Sequence, residues 1–165
     1  MNQIYAETDV KRKDTPSTLG LRVLMILGVV LGLYLCLYGG VLSIVGLAVA
    51  VLMIYLFPRL NVEYEYVFVD GQLDFDRIMG KSKRKTMLRI DFEQVDIIAP
   101  KNSHALDSYN NIQCEKKDFT SRDKSRDYYI IVCNIQNKKV LVSFEPDERM
   151  LGMMKQKSPR KMSSI

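Results

Sequence analysis

Between Arg22 and Arg59 the chain carries no charge: every side chain from Val23 to Pro58 is uncharged. That absence excludes a solvated surface helix over this stretch. It also excludes a proton relay or ion pathway, which inside a bilayer needs ionisable side chains. Cysteine is scarce as well, and Cys36, Cys114 and Cys133 show neither a CxxC pair nor metal-ligand spacing. Zinc ribbons and dithiol redox motifs are therefore excluded, and reduced, unpaired thiols are expected. The single histidine, His104, shares one polar loop with Ser103, Asp107, Ser108 and Tyr109. A catalytic triad needs members delivered by separate elements around an oxyanion hole. That loop reads instead as one held by local side-chain hydrogen bonds. Asp70, Asp74 and Asp76 miss the calcium-loop spacing, and no glycine-rich phosphate loop or nucleophile elbow occurs. No catalytic residue, metal site or cofactor is expected.

What is present in the uncharged stretch is hydrocarbon. As one helix it would reach roughly 54 Å, against a bilayer core of about 30 Å. Tyr38-Gly39-Gly40 supplies a break, since paired glycines lower helix propensity and open a turn. The reading is a hairpin of two transmembrane helices, about 23–38 and 41–57. Their Leu, Ile, Val and Phe side chains favour insertion by about −3 to −6 kcal/mol per helix. A cleaved signal peptide is the competing reading, with Lys11-Arg12-Lys13 ahead of the run and Ala48-Val49-Ala50 as a cleavage-like site. Its apolar region would be far too long, and hydrophobicity continues past it to Phe57, so cleavage is rejected. Lys11, Arg12, Lys13 and Arg22 precede the hairpin and Arg59 follows it, while the turn is uncharged. Basic flanks stay inside, so residues 1–22 form a cytoplasmic tail and the turn faces out. Gly28 and Gly32 in one helix, and Gly46 and Ala50 in the other, repeat at the spacing that lets helix backbones approach closely. They pack the hairpin against itself, or else mediate dimerisation.

Composition changes at Arg59. Residues 60–157 suffice for one domain, and 158–165 form a basic tail. Val62, Tyr64, Tyr66 and Phe68 alternate with Glu63 and Glu65, which predicts a strand with acids on its outer face. Asp70-Gly71 predicts a tight hairpin, after which Leu73 and Phe75 alternate with Asp74 and Asp76. A turn over Gly80–Lys85 precedes a strand through Leu88, Ile90 and Phe92, and Val95–Ala99 ends at Pro100. A polar segment spans Lys101–Asp127, of which Asn111–Phe119 is a candidate edge strand. Tyr128–Ile135 reads as a central strand, turned at Asn137-Lys138 into Val140–Phe144. Pro146 then opens a terminal helix with Asp147 and Glu148 in its first turn and an apolar stripe of Met150, Leu151 and Met154.

The fold class expected is thus a membrane α-hairpin plus a mainly β domain, six or seven antiparallel strands closed by a C-terminal helix. Tyr64-Glu65-Tyr66, Asp70-Gly71, Gly80-Lys81-Ser82-Lys83-Arg84-Lys85 and Ala99-Pro100 belong to a larger pattern. Ser103-His104, Asp107-Ser108-Tyr109 and Phe144-Glu145-Pro146 complete it. In this pattern the chain resembles a bacterial family of unknown function with two transmembrane helices and a C-terminal PH-like domain. The resemblance covers nearly the whole chain and implies a bent antiparallel sheet or barrel of the pleckstrin-homology-like superfold, without an activity. Lipid-binding PH domains typically carry a Trp in the terminal helix, and this chain has none. Their phosphoinositide site uses a basic first hairpin, whereas Val69-Asp70-Gly71-Gln72 is tight and acidic. Phosphoinositide recognition is not carried over, and fold alone does not dictate function.

The net charge of +5 is partly concentrated in two patches, Lys81, Lys83, Arg84 and Lys85 in one turn, and Lys155, Lys157, Arg160 and Lys161 near the end. Lys81, Lys83, Arg84, Lys85, Arg160 and Lys161 are the candidate lipid- or partner-contacting residues, each worth about 1 kcal/mol near an anionic leaflet. Without a recognition helix or stacking motif, nucleic acid is not an expected partner. The expectation is a multi-pass cell-membrane protein with both termini cytoplasmic, presenting a PH-like interaction module and having no enzymatic activity. Its partners would be the lipid bilayer with anionic headgroups, a membrane protein, or a second copy. The alternative is a membrane-bound enzyme whose site is formed by residues 101–127.

Overall fold

The computed structural model describes residues 4–80, 83–109 and 112–163. The first element is one that charge patterning conceals. Tyr5–Lys11 forms strand β1, where a tail is expected. Its residues alternate, with Ala6 and Val10 buried and Tyr5, Glu7, Asp9 and Lys11 exposed, but three charges in seven residues hide the period. Helix α1 then spans Pro16–Cys36 and α2 spans Gly40–Leu56. The start of α1 lies well before Val23 because Thr15 and Thr18 form a reciprocal capping box and Pro16 occupies the first turn. Arg22 therefore lies inside the helix, not at its boundary. Gly39 and Gly40 have φ of 70° and 62°, a left-handed conformation that glycine adopts freely.

Strands β2 (Val62–Val69), β3 (Gln72–Met79) and β4 (Lys83–Asp91) follow. With β1 they form a four-stranded sheet in the order β1-β2-β3-β4. β1 runs antiparallel to β2 from Tyr5↔Val69 to Lys11↔Glu63. The two apolar helices are thus an insertion between neighbouring strands of one sheet. A second sheet is built from β5 (Val95–Pro100), β6 (Glu115–Asp118), β7 (Tyr129–Ile135) and β8 (Lys138–Phe144), in the order β5-β7-β8-β6. The strands number eight among the described residues, in two four-stranded sheets and not one closed barrel. β6 runs parallel to β8, so the sheets are mainly but not wholly antiparallel. The β7–β8 turn falls on Gln136 and Asn137, with φ of 50° and 63°, one residue before the expected position. Helix α3 (Glu148–Lys157) is capped by Asp147, whose carboxylate accepts from Met150 N at 2.7 Å.

The chain divides into two compact units, one of Lys13–Val62 with Met79–Lys83, the other of Met1–Arg12, Glu63–Ile78 and Arg84–Ile165. In the first, α1 and α2 pack on each other along a small-residue seam. A Cβ on Gly32 would lie 2.6 Å from Gly46 O and 3.1 Å from Ala50 Cβ. One on Gly28 would meet Met53 Cγ at 3.2 Å. Outward-facing Leu24, Leu27, Leu31, Ile44 and Val51 are exposed. A helix of a soluble core would bury such side chains.

The second unit has an aromatic core. Tyr66, Phe68, Phe75 and Phe144 are fully buried with Ile131, Met150 and Met154. Phe75 stacks on Phe119 with ring centres 4.8 Å apart, and Tyr66 meets Phe75 edge-on at 5.4 Å. The Tyr66 hydroxyl donates to Phe119 O at 2.6 Å, satisfying the one polar atom that its burial would strand. Ile131→Asp is expected to destabilise this unit by at least about 3 kcal/mol, since the carboxylate has no partner there. Tyr129, the other central-strand position, is half-buried and more tolerant. A thermal melt of the purified chain in micelles checks both.

Burial also raises two proton-binding groups here. The Cys133 thiol is pushed up from 9.0 to about 11, and the Tyr66 phenol is raised too, both chiefly by desolvation. In this range the folded chain holds protons that the unfolded chain releases, so stability declines as pH rises. The Cys133 contribution is complete below pH 9 and is lost between pH 9.0 and about 11. Cys133→Ala should flatten the fall of Tm across that window, measured by melts at stepped pH.

Candidate membrane-facing site

The open ends of the helix pair, opposite the Gly39-Gly40 turn, converge on Asn61. The 3₁₀ turn Phe57–Leu60 follows α2 and delivers Asn61, whose side-chain oxygen accepts from Arg22 Nη2 at 2.7 Å. Arg22 Nη1 pairs with Asp14 at 2.5 Å. The guanidinium within α1 thus ties the chain entering that helix to the chain leaving α2. The turn after β3 joins the same node, because Gly80 N–H donates to Asn61 O at 3.1 Å. Gly80 has φ of 60°, and a Cβ there would lie 3.2 Å from Pro58 O. Glycine is required at this contact both by conformation and by space.

Aromatic residues mark both ends of the hairpin. Arg59 stacks over Tyr55 at 4.4 Å and donates to its hydroxyl at 2.6 Å. At the other end Tyr34 and Tyr38 share a hydrogen bond of 2.6 Å. Tyrosines at both ends of an apolar span suit the headgroup level, where an apolar ring needs a polar tip. α1 and the span from α2 through Leu60 are long and apolar enough to cross a membrane. That length and composition suggest membrane association.

The candidate basic residues separate into two kinds. Lys81 lies outside the described residues. Lys83 and Lys85 are exposed, but on β4 instead of in a turn, because the strand begins at Lys83. Arg84 is half exposed and engaged in ion pairs. Its guanidinium pairs with Glu65, and its Nε donates to Asp76 at 2.6 Å. Both carboxylates are more than nine-tenths buried, at 6% and 7% exposure. Glu65 was expected on a solvent face by alternation alone, but β1 pairs alongside β2 with Asp9 opposite it, and Glu65 is buried. There Glu7, Asp9 and Glu65 bring oxygens within 4.8 Å of one another, which accounts for the cation drawn in beside them. Arg160 is exposed in the 3₁₀ turn Pro159–Lys161. Lys161 is committed elsewhere, donating its ammonium to the carbonyls of Phe92 and Glu93.

Gly28, Gly32, Gly46 and Ala50 all lie on the internal seam of the hairpin, so these residues serve the intramolecular contact. In the 101–127 segment His104 Nδ1 lies 3.1 Å from Asp107, on an exposed 3₁₀ turn. Ser121 is anchored instead, donating N–H and Oγ to Glu145 at 2.8 and 2.7 Å. Arg22, Glu65 and Asp76 carry structure that sequence reasoning missed. An arginine in the second turn of α1 was the available signal for the first. For the acids there was none, because their burial depends on strand pairing that no local window contains.

Among known proteins, the family model described as Bacterial PH-like domain (DUF6106) matches residues 2–164. No curated protein and no solved structure matches.

Proposed function

We propose, from the premise that the chain belongs to the bacterial PH-like domain family, that it is a membrane-anchored, non-catalytic interaction module. Its sheet edge at Lys83 and Lys85 rests on the anionic face of the membrane that its helices cross. The family supports the interaction module, since PH-like domains generally recognise partners without chemistry on them. One observation carries the membrane-facing part: Gly80, directly after β3, is bonded to Asn61, which follows α2. Lys83 opens β4 three residues after Gly80, so its ammonium leaves the chain close to that bond. The pairing of β1 with β2 supports placing both flanks of the hairpin on one side, and the basic flanks make that side the cytoplasm.

The test uses the full chain in nanodiscs, with a fluorophore on Lys83→Cys and cysteine-free elsewhere. Quenching by a headgroup-level lipid quencher should be stronger in discs containing about a third phosphatidylglycerol than in phosphatidylcholine alone. It should weaken as salt screens the attraction. Quenching independent of lipid charge and of salt would remove the leaflet contact from the proposal.

A further inference from the structure

β5 is an outer strand of the second sheet, and the chain lays its own C-terminal stretch on that edge. Met162 bridges Ile98 in parallel, and Ser163 N–H donates to Ile98 O at 2.9 Å. Lys161 fixes the approach through the carbonyls of Phe92 and Glu93. A main-chain bond to a strand edge is indifferent to side chains, so any extended segment can make it. Beside this contact a groove of about 460 Å³ lies between β5 and α3, lined by Pro100, Tyr129, Leu151, Gly152 and Lys155, with Met162 and Ser163 themselves forming the rest of its wall. Pro100 offers no N–H, so ladder pairing is confined to the Ile98 end and side chains govern the rest. Around Gly152 nothing lies within 4 Å of where a Cβ would stand, which leaves room for an incoming apolar side chain. Lys155 is exposed and sets a positive charge at the rim.

We propose that β5 and α3 form a docking groove for an extended segment of a partner protein, and that Met162–Ser163 holds the same edge in cis. The partner segment pairs with Ile98, places an apolar side chain over Leu151 and Gly152, and directs a carboxylate to Lys155. This inference rests on reading the PH-like unit as an interaction module and names the chemistry that it recognises.

The probe is a fluorescein-labelled peptide Lys-Met-Ser-Leu-Asp, titrated by anisotropy against the full chain in micelles. Ser163→Pro removes the donor to Ile98 while leaving the rest of the chain, and it should bind the probe at least tenfold more tightly than the parent chain. A chain ending at Ser158 should do the same, and Ser163→Pro decides the matter if that shorter chain does not fold. Adding Gly152→Trp to Ser163→Pro should abolish binding by filling the groove. Adding Lys155→Glu should reverse the preference toward a probe ending in Leu-Lys. Equal binding by the parent and Ser163→Pro chains, binding that survives Gly152→Trp, or no binding to any variant would overturn the proposal. Lipid contact at Lys83 is read separately by quenching, so failure of the groove and failure of the leaflet contact are told apart.

Discussion

Gly46→Leu is expected to separate the two apolar helices while leaving the β unit folded. At Gly46 a side chain has no free direction toward α1, where Gly32 O, Leu35 Cβ and Cys36 N stand closest. Backbone atoms cannot rotate aside as a side chain can, so the helices must move apart. Overpacking of this kind costs about 3 kcal/mol, and helix pairing in lipid has no hydrophobic reserve to offset it. A disulfide between Gly28→Cys and Met53→Cys reads the contact directly, since a Cβ at Gly28 would lie 3.2 Å from Met53 Cγ. With Cys36, Cys114 and Cys133 replaced, this pair should cross-link readily, and adding Gly46→Leu should abolish the cross-link. Gly20→Leu is the control, since nothing lies within 4 Å of a Cβ there, and it should cross-link like the parent.

Arg84→Ala should be the most damaging change among the basic residues, through stability and not through lipid. It leaves Glu65 and Asp76 buried without their cation. Breaking a fully buried pair typically costs about 3–5 kcal/mol. Arg84 itself is half exposed, so solvent screens part of the loss and about 2 kcal/mol is expected. Lys83→Ala and Lys85→Ala, both at exposed neighbours, should leave the melt unchanged. If the carboxylates are what make Arg84→Ala costly, then Glu65→Gln with Asp76→Asn should recover much of the lost stability in the Arg84→Ala background. Equal melts for the three single variants would show Arg84 to be an ordinary surface cation.

The parts of this fold legible in the sequence are those set by local pattern. Absence of charge marked the helix pair, paired glycines its turn, Asp70-Gly71 the first hairpin, and alternation most of the strands. The rest depends on contacts between residues far apart in the chain. β1 is a mixed-charge heptapeptide that becomes a strand because β2 offers it an open edge across the inserted hairpin. Its presence changes the β unit from a contiguous piece into a discontinuous one, and a fragment beginning at Asn61 would lack an edge strand. The same contact buries Glu65, which period-two reasoning assigns to solvent. Of the candidate site, Lys83, Lys85 and Arg160 are exposed, whereas Arg84 and Lys161 answer to partners that no local window contains.

The hairpin is inserted within one sheet, and the central proposal is that residues before α1 and after α2 therefore share a side of a membrane. In a chain lacking its three cysteines, single cysteines at Glu7, Gly40 and Lys124 would be probed with an impermeant thiol reagent on intact cells and after permeabilisation. The account predicts labelling of Gly40→Cys in intact cells, with Glu7→Cys and Lys124→Cys labelled only after permeabilisation. Labelling of one of positions 7 and 124 from outside while the other stays protected would contradict it, because β1 and the remaining strands would then lie across the bilayer from each other.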